Sequence, residues 1–305
     1  MSGTTSGHYE SHTVESYESA YFYSPGEYTN FLRDAVIKEF HLHPPASVPT
    51  STTESSSSTR RLIDIGGGTG NFTRMILEVV PNIEGVVIDP FLEAGFNGTG
   101  SDGDGDIRFV KASAEDFAAT DSASAGDEWW KSGYHYVLMK EVVHHLPNNY
   151  RSEIFRGLRS GLDLVDLETT MAPQSSDGGH NEQTQKGPSL LIVTRPQVDI
   201  DYPLWPAARE VWAANQPSVS AIEADLKVAG FQKIESKIQT YPSSIKLDQW
   251  LDMVQSRFWS TFSNFTDAEL KEACNLIRDE ATKTSKVDGD DVVHFEDRLV
   301  FITAS

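Results

Sequence analysis

Residues 62–72, LIDIGGGTGNF, constrain this chain more than any other stretch: an apolar run carries an acid, Asp64, and then gives way to four glycines interrupted once by Thr69. A run of glycines brings backbone into places where a side chain would collide. The apolar residues before it predict a strand, and NFTRMILEVV after it predicts a helix. Strand, glycine turn and helix in that order form the opening unit of a parallel sheet.

The same alternation continues along the chain. RRLIDIG, EGVVID, IRFVKAS, YHYVLMKE, SLLIVTRP, QKIESKIQTYP and VVHFEDRLVFITA read as seven strands, with helical patterns at NYRSEIFRGLRSGL and SVSAIEADLKVAGF and a stop at Gly230. Crossover helices between strands predict a doubly wound, mostly parallel α/β sheet covered on both faces, with ligands at the carboxyl ends of the strands. The segments DIGGGTG, IDP, ASAED, KEVVHH and TRP all follow strands, and so converge on one edge.

At the N-terminal end, SPGEYTNFLRDAVIKEF reads as a helix with Ser24 as cap, Pro25 in the first turn and Glu27 completing a capping box; Tyr28, Phe31, Leu32, Ala35 and Val36 share one face. This places a cap segment at residues 1–46, a Ser/Thr-rich linker expected to be disordered at 47–59, and the main domain at 60–305. Two helical patterns around LDQWLDMVQSRFW and TDAELKEACNLIRDEA interrupt the last strand pair, a helical insertion at about 245–285. NGTGSDGDGD and the polar stretch from Glu168 to Pro188 read as loops.

Charge narrows the partners. The 25 basic residues against 45 acidic ones leave a net charge of −20, the reverse of a surface that tracks phosphates, so nucleic acid is not expected as a partner. A single cysteine, Cys274, excludes an intrachain disulfide, and no Cys/His cluster suggests a metal site. Neither a secretory signal nor an apolar run long enough to span a membrane is visible, which gives the cytosol as the expected location.

The glycine loop lacks the Lys and Ser/Thr that a triphosphate cradle needs after its last glycine, where Asn71 and Phe72 stand. A dinucleotide fingerprint begun at Gly66 would need glycine at Asn71. The pattern present is Asp64-x-Gly66-x-Gly68-x-Gly70, followed by VVIDP with Asp89 ending the next strand. Asp89 can accept both hydroxyls of a ribose. A carboxylate beside the glycines would repel a pyrophosphate, whereas an acid network around Asp64 favours an ammonium group; the plain alternative for Asp64 is a turn or helix cap. With FVKASAEDF and YHYVLMKEVVHHL, these segments resemble the class I S-adenosylmethionine-dependent methyltransferases. The resemblance covers roughly residues 60–200. It implies S-adenosylmethionine as cofactor, a Rossmann-like fold of seven strands with the last antiparallel, and N-terminal and late helical segments acting as lids. It implies donor contacts at Asp64, Gly66, Gly68, Gly70, Asp89, Ser113, Ala114, Glu115 and Lys140. Ser113 stands where the family often has an acid, and Glu115 or Asp116 could supply the adenine contact instead.

The methyl acceptor is less constrained. No tetrapeptide for a flipped base is present, which points to a small molecule. His144 and His145 are the candidates for a general base, with packing as the ordinary alternative. Arg195 directly follows the fifth strand and suits a carboxylate, unless an acidic residue already pairs with it. Tyr202, Trp205 and Trp259, with Tyr17, Tyr21 and Tyr23 of the N-terminal segment, are candidates for the acceptor pocket, where aromatic faces attract cations; the ordinary role of such residues is packing. The resulting expectation is an enzyme that methylates a small, carboxylate-bearing acceptor at sulfur or nitrogen. A methylthio-hydroxy acid giving a sulfonium osmolyte precursor is one example, and a methylthiohydroxybutyrate-type S-methyltransferase the corresponding subfamily. The alternatives are an O-methyltransferase with a histidine base, a protein methyltransferase, a non-catalytic donor-binding scaffold, or a nicotinamide-dependent oxidoreductase.

Overall fold

The computed structural model describes residues 25–42, 59–92, 107–119, 133–171, 189–283 and 291–305. Tyr17, Tyr21, Tyr23, Ser24, nearly all of the Ser/Thr-rich linker and the NGTGSDGDGD loop lie outside them.

The chain runs α1 (Pro25–Glu39), β1 (Arg60–Ile65), α2 (Asn71–Leu77), β2 (Ile83–Ile88), β3 (Ile107–Val110), α3 (Ala114–Ala119), β4 (Tyr136–Lys140), α4 (Arg151–Met171), β5 (Leu190–Thr194), α5 (Pro206–Asn215), α6 (Val219–Ala229), β6 (Ile234–Lys246), α7 (Leu247–Gln255), α8 (Asp267–Lys283) and β7 (Val292–Ala304). The strands form one sheet in the order β3-β2-β1-β4-β5-β7-β6. β7 runs antiparallel to both of its neighbours, and the other strands are parallel to one another. This is the doubly wound, seven-stranded arrangement expected from the sequence, with its last strand reversed.

Side chains alternate between the two sheet faces, and the apolar pattern fills both. On one face Ile63, Ile65, Val137 and Met139 pack with Phe155 and Leu158 of α4 and with Ile222 and Leu226 of α6. On the other, Leu62, Leu138, Leu191 and Phe301 pack with Ile76 of α2 and with Tyr28, Leu32 and Val36 of α1.

The strand order reverses between β1 and β4, so the crevice at their carboxyl ends is where a sheet of this kind takes its ligand. β6 and β7 are each thirteen residues long, and they pair along their full length while β5 pairs only the stretch of β7 from Val300 to Ala304. The remaining hairpin therefore projects past the carboxyl end of β5. Its residues Ile245, Val293 and Phe295 join α5, α7 and α8 in a third apolar core.

Two boundaries differ from the sequence reading. α4 continues through Met171, where a loop was expected from Glu168, because no helix breaker occurs before Pro173. β6 continues past Pro242 to Lys246; it is an edge strand, where proline leaves no ladder bond unmade.

Candidate functional site

The loop after β1 holds three left-handed glycines, Gly66 (φ 72°), Gly68 (φ 55°) and Gly70 (φ 75°). Its backbone donors turn inward. Gly66 N donates to the Ile88 carbonyl (2.7 Å), Gly68 N to Asp89 Oδ2 (3.0 Å) and Gly70 N to the Gly67 carbonyl (2.9 Å). A loop that cradles phosphates aims such groups at the anion; here the chain itself uses them. A Cβ at Gly66 would stand 2.7 Å from Val142 Cγ2, so the loops after β1 and β4 meet directly at the crevice.

Asp89 directly follows β2 and is partly exposed. Oδ1 accepts from Phe91 N (2.8 Å) and Oδ2 from Gly68 N, and burial raises its pKa against the opposing pull of those two bonds. Each oxygen keeps a lone pair for a further donor. Asp64 is placed differently from the ammonium-facing acid that was expected. It is 1 % exposed, lies beneath the loop and accepts a bond from Thr73 Oγ1 of α2 (2.5 Å). A Cβ at Gly67 would come within 2.6 Å of Asp64 Oδ2, so the side chain props the loop from below. Desolvation raises its pKa to about 6, countered by the Thr73 bond and by Lys140, while Asp89 adds to the rise.

Ser113 caps α3: its hydroxyl accepts from Asp116 N (3.0 Å) and donates to Asp116 Oδ2 (2.9 Å). Ala114 packs into the core, Glu115 is partly exposed and Asp116 exposed, the latter with one carboxylate oxygen engaged by Ser113. Lys140 ends β4 with its ammonium 5.1 Å from the centre of the Phe72 ring.

Arg195 is 5 % exposed and its charge is already engaged. Nε and Nη2 each lie 3.2 Å from a different oxygen of Asp297, and Nη1 pairs with Glu141 Oε2. The acceptor-carboxylate clamp expected of Arg195 would have to displace these partners; the arrangement is the acid pairing that was its alternative. Asp297, fully buried on β7, also accepts from the hydroxyls of Tyr28 (2.6 Å) and Tyr202. Sequence reasoning missed both acids. The signal for Asp297 was present: in VVHFEDRLV it shares the inward-facing phase of Val293, Phe295 and Leu299, where an acid needs a partner.

Tyr202, Trp205 and Trp259 belong to the core of the projecting hairpin. Trp259 stacks on Phe262 at 5.6 Å and meets Tyr202 edge-on at 4.8 Å, and Trp205 stacks on Phe262 at 5.9 Å. These rings spend their faces on one another, in the packing role that was their alternative. His144 and His145 occupy a short 3₁₀ turn after β4, with ring centres 3.9 Å apart. His144 is partly buried, its Nδ1 is shielded and without a hydrogen-bond partner, and burial pushes its pKa down to about 3. Among the described residues no group of three or more His, Cys, Asp or Glu side chains is placed to hold a metal ion, and no helix is long and apolar enough to cross a membrane.

No protein-family model matches the chain, and no curated protein matches it. Among solved structures, phosphoethanolamine N-methyltransferase 2 of Haemonchus contortus in complex with S-adenosyl-L-methionine is similar at a TM-score of 0.48 and 14% identity, over 95% of this chain and 56% of that one. The same enzyme with phosphomonomethylethanolamine and S-adenosylhomocysteine gives 0.45 and 13%, over 90% and 52%. A putative methyltransferase from an antibiotic biosynthesis pathway of Anabaena variabilis ATCC 29413 gives 0.49 and 11%, over 89% and 96%. The chain thus spans about half the length of the Haemonchus enzyme.

Proposed function

We propose that this chain is an S-adenosylmethionine-dependent methyltransferase with a small-molecule acceptor. One observation carries the reading. The glycine loop at the β1–β4 switch point directs the amides of Gly66, Gly68 and Gly70 to its own chain, and the partly exposed carboxylate of Asp89 stands at its edge while Asp64 lies buried beneath it. Such a site disfavours a pyrophosphate, whose charge those three amides are not free to meet, and suits a nucleoside whose ribose Asp89 can hold. That is the requirement by which the nicotinamide-dependent alternative loses ground. In this reading Asp89 holds the ribose hydroxyls, and Gly66, Gly68 and Gly70 let the backbone approach the donor. Glu115 borders the adenine and Lys140 the loop. Asp64 acts through the loop it supports. When bound, S-adenosylmethionine supplies a methyl group on a sulfonium.

The acceptor atom is sulfur or nitrogen. A thioether needs no base and an amine needs only its lone pair, whereas a hydroxyl acceptor needs proton removal. A histidine whose pKa is near 3 is a poor base, which weighs against oxygen transfer driven by His144. A carboxylate on the acceptor, as in a methylthio-hydroxy acid, loses Arg195 as its natural partner and needs another group to recognise it. A protein acceptor or a donor-binding scaffold would use the same loop and differ in giving no transfer to small acceptors.

Calorimetric titration with S-adenosylmethionine, S-adenosylhomocysteine and NAD tests the donor, and methyl transfer to a panel of small amines, thioethers and phenols tests the reaction. Binding of both adenosyl compounds without NAD, with transfer to one acceptor class, is the expected result. NAD binding in their place defeats the reading.

A further inference from the structure

Glu141, the first residue after β4, combines two costly features at the ligand edge. Its backbone sits at φ 60°, a region that residues with a side chain seldom occupy. Its carboxylate is divided: Oε2 is held by Arg195, while Oε1 is shielded from solvent and has no hydrogen-bond partner. A charged oxygen left so is unfavourable by itself. The surroundings nevertheless fix it there. Glu141 N donates to the Val193 carbonyl (2.8 Å), and Arg195 is anchored in turn by Asp297. Glu141 and Asp297 share the single guanidinium of Arg195. The next residue, Val142, is the one that fits against Gly66 of the donor loop. His144, three positions further on, is uncharged near neutral pH and adds no positive charge.

We propose that Glu141 is a catalytic residue that faces the positive charge developing on the acceptor atom, and that the acceptor is one that becomes an onium ion on methylation, an amine or a thioether. This rests on the methyl-transfer reading and narrows it. In the reaction the acceptor lone pair forms the bond to the methyl carbon while the carbon–sulfur bond of the donor breaks with its electron pair on sulfur. The positive charge passes from the donor sulfur to the acceptor atom; a primary or secondary amine then releases one proton to solvent, whereas a tertiary amine or a thioether keeps the charge. A carboxylate held in fixed position and away from water stabilises that charge more than a solvated one does. Arg195 and Asp297 act through Glu141 as positioning residues.

The test uses the full chain saturated with S-adenosylhomocysteine and three probes that share a hydroxyethyl arm: choline, its uncharged isostere 3,3-dimethylbutan-1-ol, and the smaller, pyramidal sulfonium (2-hydroxyethyl)dimethylsulfonium. Calorimetry on the wild type should find at least one cation bound about tenfold or more tighter than the isostere. The better cation distinguishes a nitrogen from a sulfur acceptor. Glu141→Gln should bring the cations to the affinity of the isostere and leave the isostere and S-adenosylhomocysteine unchanged; Glu141→Asp, which keeps the charge, should retain part of the preference. Equal binding of cations and isostere by the wild type overturns the proposal without recourse to any variant, and so does a preference that survives in Glu141→Gln. Failure of S-adenosylhomocysteine to bind strikes the donor reading itself, and normal binding of it without a cation preference strikes this inference alone.

Discussion

Asp64 is a carboxyl group held out of water by the loop it supports, and its pKa of about 6 against an ordinary 3.8 has a consequence for stability. The folded state binds its proton more tightly than the unfolded chain does. The group therefore costs nothing below the unfolded value, and its penalty grows as pH rises through the window from 3.8 to about 6, reaching about 3 kcal/mol. Asp64→Asn keeps an acceptor for Thr73 and removes the titration. Denaturant melts of both proteins at several pH values should show the variant gaining on the wild type by that order between about pH 4 and pH 7; a constant difference across the window would mean that Asp64 stays ionised when folded. The donor loop itself was legible in the sequence because glycine spacing reports backbone conformation directly. The partners of Arg195 were not, since Glu141 and Asp297 lie 54 positions before it (195 − 141) and 102 after it, and only the sheet brings them together. Asp89→Ala should weaken S-adenosylmethionine by about 1.5–3 kcal/mol, the size of a charge-assisted bond, as read by calorimetry; unchanged donor affinity would remove Asp89 from the site.

The elements that were easiest to read are those whose pattern is local. β7 spans the same residues that its alternation marks, and α6 begins at Ser218, whose hydroxyl accepts from Ala221 N, and stops at left-handed Gly230. α5 was not recognised as a helix, because PAAREVWAAN is short and the aromatic residues just before it, Tyr202 and Trp205, drew attention as ligand candidates. Glycines inside α4 had no evident purpose in the sequence, and packing supplies one: a Cβ at Gly157 would stand 2.2 Å from the Ala118 carbonyl oxygen of α3. Gly→Ala within a helix ordinarily stabilises by about 1 kcal/mol. Here backbone would have to move, so Gly157→Ala should instead lower stability by a net ~1–2 kcal/mol, overpacking outweighing the propensity gain. A variant that melts higher than the wild type would show that α3 and α4 can separate without loss.

Across the whole molecule, two of the three apolar cores meet around one buried acid. Asp297 lies on β7 between Leu299, which packs on the sheet, and Phe295, which packs in the projecting hairpin, and it receives Tyr28 from α1 and Arg195 from the end of β5. The length of β6 and β7 could not be read as a projection until the pairing was known, because the strand pattern alone does not say how much of it β5 covers. Asp297→Ala leaves Arg195 without its principal partner, and should cost about 3–5 kcal/mol in a denaturant melt; a loss below about 1 kcal/mol would mean that Glu141 alone can hold Arg195. Glu141 links this cluster to the end of β4, beside the crevice between β1 and β4, and that crevice is where the adenosyl donor binds against Gly68 in the proposed reading. The most direct measurement is calorimetric titration of S-adenosylhomocysteine into the wild type and into Gly68→Val, with circular dichroism establishing that the variant is folded. The account predicts one-to-one binding by the wild type and none by the folded variant, since a β-branched residue cannot sit at φ 55° without moving the loop that meets the donor. Equal affinity of the two folded proteins would contradict it.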